Sequence, residues 1–209
     1  MGIFKEERNS NSIVRTDLKY NYDILNENIR DLTMVYPFME IGSIGKSVLG
    51  KNIPYIRIGR GQKQVLYHAS IHANEWITSV LLMKFVENYS KAIKEDEYIY
   101  GYRARVIFEI CSIYIVPMVN PDGVDLVNDN INKNSEVYKS VRKIANSYPE
   151  IPFPSGWKAS IRGVDLNLQF PAGWREARRI KFEQGYTKPA PRDFVGERTS
   201  YRARSTCNI

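Results

Sequence analysis

Apolar positions recur at steps of three and four in Tyr22, Leu25, Ile29 and Leu32, which predicts an amphipathic helix over 18–34 with Asp17 as its cap and Pro37 limiting its extension. Two runs of β character follow, Ile53 to Ile58 and Gln64 to Ser70, separated by Gly59-Arg60-Gly61. Glycines at such a junction are hairpin chemistry, so an antiparallel pair is expected. From Glu75 to about Lys94, the residues Trp76, Val80, Met83 and Val86 or Tyr89 fall near one stripe, which predicts a helix packed on a sheet. Ser112 to Val119 is almost continuously apolar, as a strand buried on both faces is. Strand, helix and buried strand in this order predict a βαβ crossover. A further helix is expected at about Ser135 to Ser147, and a short strand at Val164 to Leu166. The fold class is α/β, with a mixed, mainly parallel sheet flanked by helices.

No repeat or low-complexity tract breaks this pattern, and only the first dozen residues resemble a linker, so residues 1–17 read as a polar N-terminal segment ahead of one domain. Composition agrees: 43% apolar, 25% charged and 12% aromatic residues over 209 positions suit one packed core and exclude disordered, collagenous and coiled-coil chains. The net charge of +7 is uneven, because residues 151–209 carry 11 basic and 5 acidic side chains. This excess lacks aromatic interleaving and any reader motif, so it is expected to be a soluble basic surface, with Arg175, Arg178 and Arg179 on a solvated face and no nucleic-acid partner. The best apolar run, Val106 to Val119, is interrupted by Glu109 and too short to span a bilayer, so no membrane partner is expected. The start MGIFKEERNSNS has no apolar core for a secretory signal, and Glu6 stands where a myristoylation signal needs Ser or Thr; a cytoplasmic location is expected. Cys111 and Cys207 form no Cys-x-x-Cys motif and are expected to be reduced thiols.

Candidate chemistry begins in YHASIHANEW, where His72 and Glu75 stand three apart just before a helix. An imidazole and a carboxylate at this spacing can bind one Zn²⁺ if the backbone turns between them, leaving room for a third ligand and water. Taken alone, the same pair reads rather as an acidic residue stabilising a helix N-terminus beside a packed histidine.

Three stretches in order change that balance: HANEW at 72–76, IVPMVNPDGVD at 115–125 and RGVDLNLQFPAGW at 162–174. With them the chain, from about Tyr20 to Gly196, resembles the zinc carboxypeptidase family, the metallopeptidases of the M14 type. The resemblance implies a carboxypeptidase-like fold over 18–197, Zn²⁺ as cofactor and His72 and Glu75 as its ligands. It implies that Asp165 accepts a hydrogen bond from the zinc-binding imidazole and orients it, that Asn167 binds substrate, and that Lys158 stands where many relatives carry an oxyanion-stabilising Arg, with Arg162 as its substitute. Carboxypeptidases of this fold usually read Asn-Arg where this chain has Asn167-Leu168. A leucine cannot pair with a C-terminal carboxylate, and the variant resembles the branch containing γ-D-glutamyl-L-diamino acid endopeptidases, which implies a peptide or muropeptide substrate.

Two departures remain. The sequence has two histidines, His68 and His72, so nothing after residue 72 supplies the family's second zinc-binding imidazole. His68 and His72 would lie about 13 Å apart along a strand, and His68 reads as an exposed or packed strand residue. The family's general-base Glu also lies downstream of the GVDLN motif. The tail 198–209 departs from the Pro-Leu-Thr-Glu-Pro-Glu stretch usual in this branch. One synonymous codon choice for Arg198 to Asn208, read one base later, restores it, so a frameshifted and C-terminally incomplete domain is expected. Such a domain would expose a sheet edge and apolar surface. It would serve either as a weakened hydrolase or as a wall-peptide-binding remnant.

Overall fold

The computed structural model describes residues 12–198. Helix α1 (Tyr22–Val35) is capped by Asn21, whose side chain accepts the Ile24 N–H at 2.9 Å. The expected cap, Asp17, instead pairs with Arg15 at 2.7 Å. Tyr20 explains the later start: it is fully buried and its hydroxyl donates to Asn28 at 2.8 Å, which holds the preceding residues across α1.

Strands β1 (Glu40–Lys46) and β2 (Asn52–Ile58) form an antiparallel hairpin around a turn closed by Ser47 N–H to Lys51 C=O at 2.8 Å. Strand β3 (Lys63–His68) follows, then a single 3-10 turn at Ala73–Glu75 and helix α2 (Ile77–Glu95). A short ribbon of β4 (Tyr98–Ile99) and β5 (Tyr102–Arg103) leads into α3 (Ala104–Ile110) and β6 (Cys111–Val116). β6 lies between β2 and β3, giving the order β1-β2-β6-β3. The expected β2–β3 hairpin is therefore absent. Gly59 and Gly61 serve close approach instead, since a Cβ on either would collide with the backbone of Ile110 or Cys111. Arg60 N–H donates to Phe108 C=O at 2.9 Å, and its guanidinium pairs with Glu109 at 2.6 Å, the charge that interrupts the apolar run.

The predicted crossover is present, because β3 and β6 pair in parallel with α2 between them in sequence. The sheet is mixed as expected but not mainly parallel: β1–β2 and β2–β6 are antiparallel, since the N-terminal hairpin joins the crossover on the β2 side. Among the described residues β3 is paired on one edge only, and its Leu66 and Tyr67 side chains are exposed.

Helices α4 (Pro121–Val127), α5 (Glu136–Ala145) and α6 (Trp174–Glu183) complete the described elements, α5 matching its prediction. The short strand expected at Val164 to Leu166 is a 3-10 turn, Leu166–Leu168, because the Asp165 carboxylate accepts the Asn167 N–H at 3.1 Å and closes the backbone into a turn.

One apolar cluster joins Leu25 and Leu32 of α1, Met83 and Val86 of α2, and Ile56, Ile58 and Ile115 of the sheet. Each such buried side chain contributes about 1.5–3 kcal/mol. A second cluster gathers Ala73, Leu126, Val141, Trp157 and Ala159. The described part of the N-terminal segment is docked, with Ile13 N–H and Ser12 Oγ donating to Glu87 at 2.7 and 2.9 Å. No described helix is long and apolar enough to cross a membrane. Cys111 is a free thiol. Glu6, Cys207 and the tail beyond Arg198 lie outside the described residues.

Candidate active site

Beyond β3 and β6 the two chains stay linked, through Ala69 N–H to Val116 C=O and Asn120 N–H to Ser70 C=O, each at 3.0 Å. Ser70 then turns the backbone out of the sheet in the left-handed region, at φ 48°. Its surroundings hold that conformation: Ser70 N–H donates to Thr78 Oγ1 at 3.0 Å, and its hydroxyl lies 2.6 Å from Ser79 Oγ. The next turn is anchored by Ala73, which is fully buried and donates its N–H to Lys158 C=O at 3.0 Å. Gly123 of α4 lies opposite, where a Cβ would stand 2.7 Å from Ala73 Cβ. Asn120 caps α4 by accepting the Gly123 N–H at 3.1 Å, and its amide donates to Ala159 C=O at 2.9 Å. These bonds bring the His72 turn, α4 and residues 157–159 into one frame.

Within that frame four sequence-predicted side chains meet. His72 Nε2 lies 3.2 Å from Asp165 Oδ1, and His72 Nδ1 lies 3.1 Å from Glu75 Oε1. Lys158 Nζ lies 3.2 Å from the same Glu75 oxygen. Asp165 is buried, and its second oxygen accepts the Asp193 N–H at 3.1 Å. An ionised carboxylate only accepts hydrogen bonds, so with no cation between them His72 Nδ1 donates to Glu75 as Nε2 donates to Asp165; once Nδ1 gives up its proton, Asp165 keeps the remaining one at Nε2 and the Nδ1 lone pair faces Glu75. With Nδ1 deprotonated, the two atoms face one another as lone-pair donors and can share a cation. Bonds of about 2.0–2.1 Å from one zinc to N and O at a tetrahedral angle would place these atoms about 3.3 Å apart, close to the separation seen. His72 and Glu75 thus fit zinc as two of its protein ligands. No group of three or more His, Cys, Asp or Glu side chains suited to a metal is present among the described residues.

Burial raises the Glu75 carboxyl, but the Lys158 hydrogen bond and the charge and hydrogen bond of His72 outweigh it and hold the group below its ordinary range. Glu75 therefore stands ionised beside Lys158.

The remaining predicted residues are less engaged. Asn167 is exposed, so its amide is open to solvent, while its backbone N–H is committed to Asp165. Leu168 is half-buried in the same turn. Arg162 is exposed and forms no ion pair with the cluster. His68, at the end of β3, is also exposed and makes no hydrogen bond to the cluster. Arg179 is taken up by Glu176 and Glu183, and Arg178 stacks on Phe182, so the basic face of α6 is partly neutralised. A cleft of about 460 Å³ beside Trp174, Arg175 and Glu197 includes none of the four clustered side chains.

Two contributors escaped the sequence reading. Asp193 supplies the backbone donor to Asp165 and pairs with Lys181 at 2.6 Å and Arg192 at 2.7 Å. No local pattern announces that role. Asn120 could have been found, because Asn before Pro at a helix start is a cap followed by a preferred first residue.

Comparison with known proteins gives consistent results. The Peptidase M14 zinc carboxypeptidase model matches residues 25–201. Gamma-D-glutamyl-L-diamino acid endopeptidase 1 of Lysinibacillus sphaericus is 40% identical over 185 residues, covering 88% of this chain and 45% of that protein. YqgT of Bacillus subtilis is 34% identical over 189 residues, covering 90% of this chain and 48% of that protein. The chain thus spans about half the length of these curated relatives. A crystal structure of thrombin-activatable fibrinolysis inhibitor superposes with a TM-score of 0.60 at 17% identity over 87% of this chain and 40% of that one, a likeness of fold.

Proposed function

Since the chain belongs to the zinc carboxypeptidase family, we propose that it carries the metal-gripping part of a hydrolase for amide bonds in peptidoglycan stem peptides, of the γ-D-glutamyl-diamino acid type. The observation that carries this reading is the His72 ring held between Asp165 at Nε2 and Glu75 at Nδ1. His72 and Glu75 would hold zinc, which when bound polarises a carbonyl and lowers the pKa of bound water toward neutrality.

The chain's own residues set the conditions for that chemistry. Asp165 accepts a hydrogen bond from Nε2–H and so favours the tautomer whose Nδ1 lone pair can meet a metal; partners of this kind typically account for about 10–100-fold in affinity or activity. Lys158 places a positive charge beside the pair, where a carbonyl oxygen gaining negative charge would be stabilised. Asn167 offers an exposed amide that both donates and accepts. Leu168 offers no charge to a terminal carboxylate, which favours cleavage within a stem peptide over removal of a C-terminal residue. Turnover also requires a third protein ligand and a proton acceptor beyond these residues. Because the described residues provide two ligands, wall-peptide binding without turnover is the second reading.

A zinc titration combined with a muropeptide hydrolysis assay separates them. Stoichiometric zinc with cleavage at the γ-D-glutamyl bond is the expected result for the hydrolase, and zinc and peptide binding without cleavage the result for the second reading. Release of C-terminal residues from ordinary peptides, with muropeptides left intact, would overturn the substrate assignment.

A further inference from the structure

One oxygen of Glu75 faces two nitrogens. Oε1 lies 3.1 Å from His72 Nδ1 and 3.2 Å from Lys158 Nζ. Among the described residues Glu75 is the carboxylate within ion-pair reach of that ammonium. The Lys158 backbone is pinned on both sides, its N–H donating to Pro191 C=O at 2.8 Å and its C=O accepting from Ala73 N–H at 3.0 Å. Trp157, just before it, is fully buried. The flexible four-carbon stem is therefore the part of this residue free to rearrange.

We propose that Lys158 is a built-in competitor for the metal position: its ammonium occupies the Glu75 oxygen facing His72, and a divalent cation enters the pair only by displacing it. This rests on the reading of His72 and Glu75 as zinc ligands. A dication and an ammonium sharing one carboxylate oxygen repel each other, and the same lone pair cannot serve both. Displacement has a second effect. It frees the Lys158 charge to meet a substrate oxygen only once metal is seated, so metal loading and readiness for the developing oxyanion are tied to one side chain. An arginine, with its planar fork of donors, would keep one nitrogen on Glu75 while presenting another, so the exchange suits a lysine.

The test is a zinc titration of the 209-residue chain, read by calorimetry and by competition with a chromophoric chelator, with no activity assay needed. Lys158→Met is expected to bind zinc at least about tenfold more tightly than the unaltered chain, the scale of removing one charge beside a dication near a protein surface. Lys158→Arg, which keeps the charge and the pairing, is expected to bind no more tightly than the unaltered chain. Glu75→Ala, at a half-buried position, separates the two ideas. If Glu75→Ala weakens zinc binding while Lys158→Met leaves it unchanged or weaker, the exchange proposal is overturned and the ligand reading stands. If Glu75→Ala binds zinc as the unaltered chain does, the ligand reading fails and the exchange proposal falls with it.

Discussion

Lys51 lies between two carboxylates that are each 3% exposed, whereas Lys158 lies beside one that is 42% exposed. The lysines themselves are alike in exposure, at 22% and 23%, so what differs is what surrounds the acids. Asp122 also accepts from Ser47 Oγ and Leu49 N–H, both at 2.9 Å, and Asp125 accepts from Tyr22 N–H at 3.0 Å. Every partner there is internal, and the cluster rivets the β1–β2 turn and the start of α1 to α4. At the other cluster, Glu75 turns an oxygen toward His72 Nδ1 and Lys158 Nζ with solvent beside it. The same residue types thus build a scaffold whose acids are enclosed and a site whose acid stays partly open to solvent. Helix α4 separates the two, carrying Asp122 and Asp125 on one side of Gly123 and pressing Gly123 on Ala73.

Breaking the closed cluster should have the largest effect. Asp125→Ala leaves Lys51 facing Asp122 at 3.7 Å and strips the Tyr22 N–H of its acceptor, and urea denaturation should show a loss of about 3–5 kcal/mol. Glu75→Ala should cost less, about 1 kcal/mol in the same measurement, because the carboxylate removed is itself 42% exposed and partly screened by solvent. Equal losses would mean that the two clusters are not different in kind.

Asp165→Asn should come next, lowering zinc affinity by about 10–100-fold. The new amide can donate to Nε2, which moves the ring proton to Nδ1, the atom that must face the metal. Calorimetric titration reads the affinity. Gly123→Ala acts on the wall between the clusters: its Cβ would lie 2.7 Å from both Ala73 Cβ and the Asn120 amide nitrogen, and the strain should destabilise by about 1–3 kcal/mol. Zinc affinity and urea midpoint should fall together in this variant, while Asp165→Asn should move affinity more than the midpoint.

The smallest effect concerns a third lysine-carboxylate pair, Lys84 with Glu87 at 2.7 Å. Burial raises the Glu87 carboxyl, but bonds from Lys84, Ile13 N–H and Ser12 outweigh it, and the group sits below its ordinary value. With the folded value depressed, this stabilisation is present above the unfolded value and is lost as pH falls through the folded one. Between about pH 5 and 3, stability should therefore fall more steeply in the unaltered chain than in Glu87→Gln. Identical slopes would show that Glu87 does not hold residues 12–14 through its charge.

Much of this architecture was readable because it is local. The stripe Val80, Met83, Val86 and Tyr89 announced α2, and a continuous apolar run announced β6. The β3–α2–β6 crossover followed from their order. The errors came where distant residues decide. Gly59 and Gly61 carry the chemistry of a turn, and only the backbone of Ile110 and Cys111 reveals that they make room for a crossing chain. Helix α3 occupies the front of the apolar run Val106 to Val119, for which the pattern names no element ahead of Ser112, and β1 shows no buried position by which its pattern could be recognised. In the site, HANEW and GVDLN marked His72, Glu75 and Asp165, since the motif names the chemistry and the turn supplies the geometry. The Lys158–Glu75 contact joins residues 83 apart and depends on the Ala73–Lys158 backbone bond, which no spacing rule contains.

The outer margin of β3 has its own consequence. Its row of backbone groups, without strand partners among the described residues and lined by Leu66 and Tyr67, is a template on which another extended segment can assemble. How crowded the solution is, more than how warm, will govern how long this chain persists as single molecules.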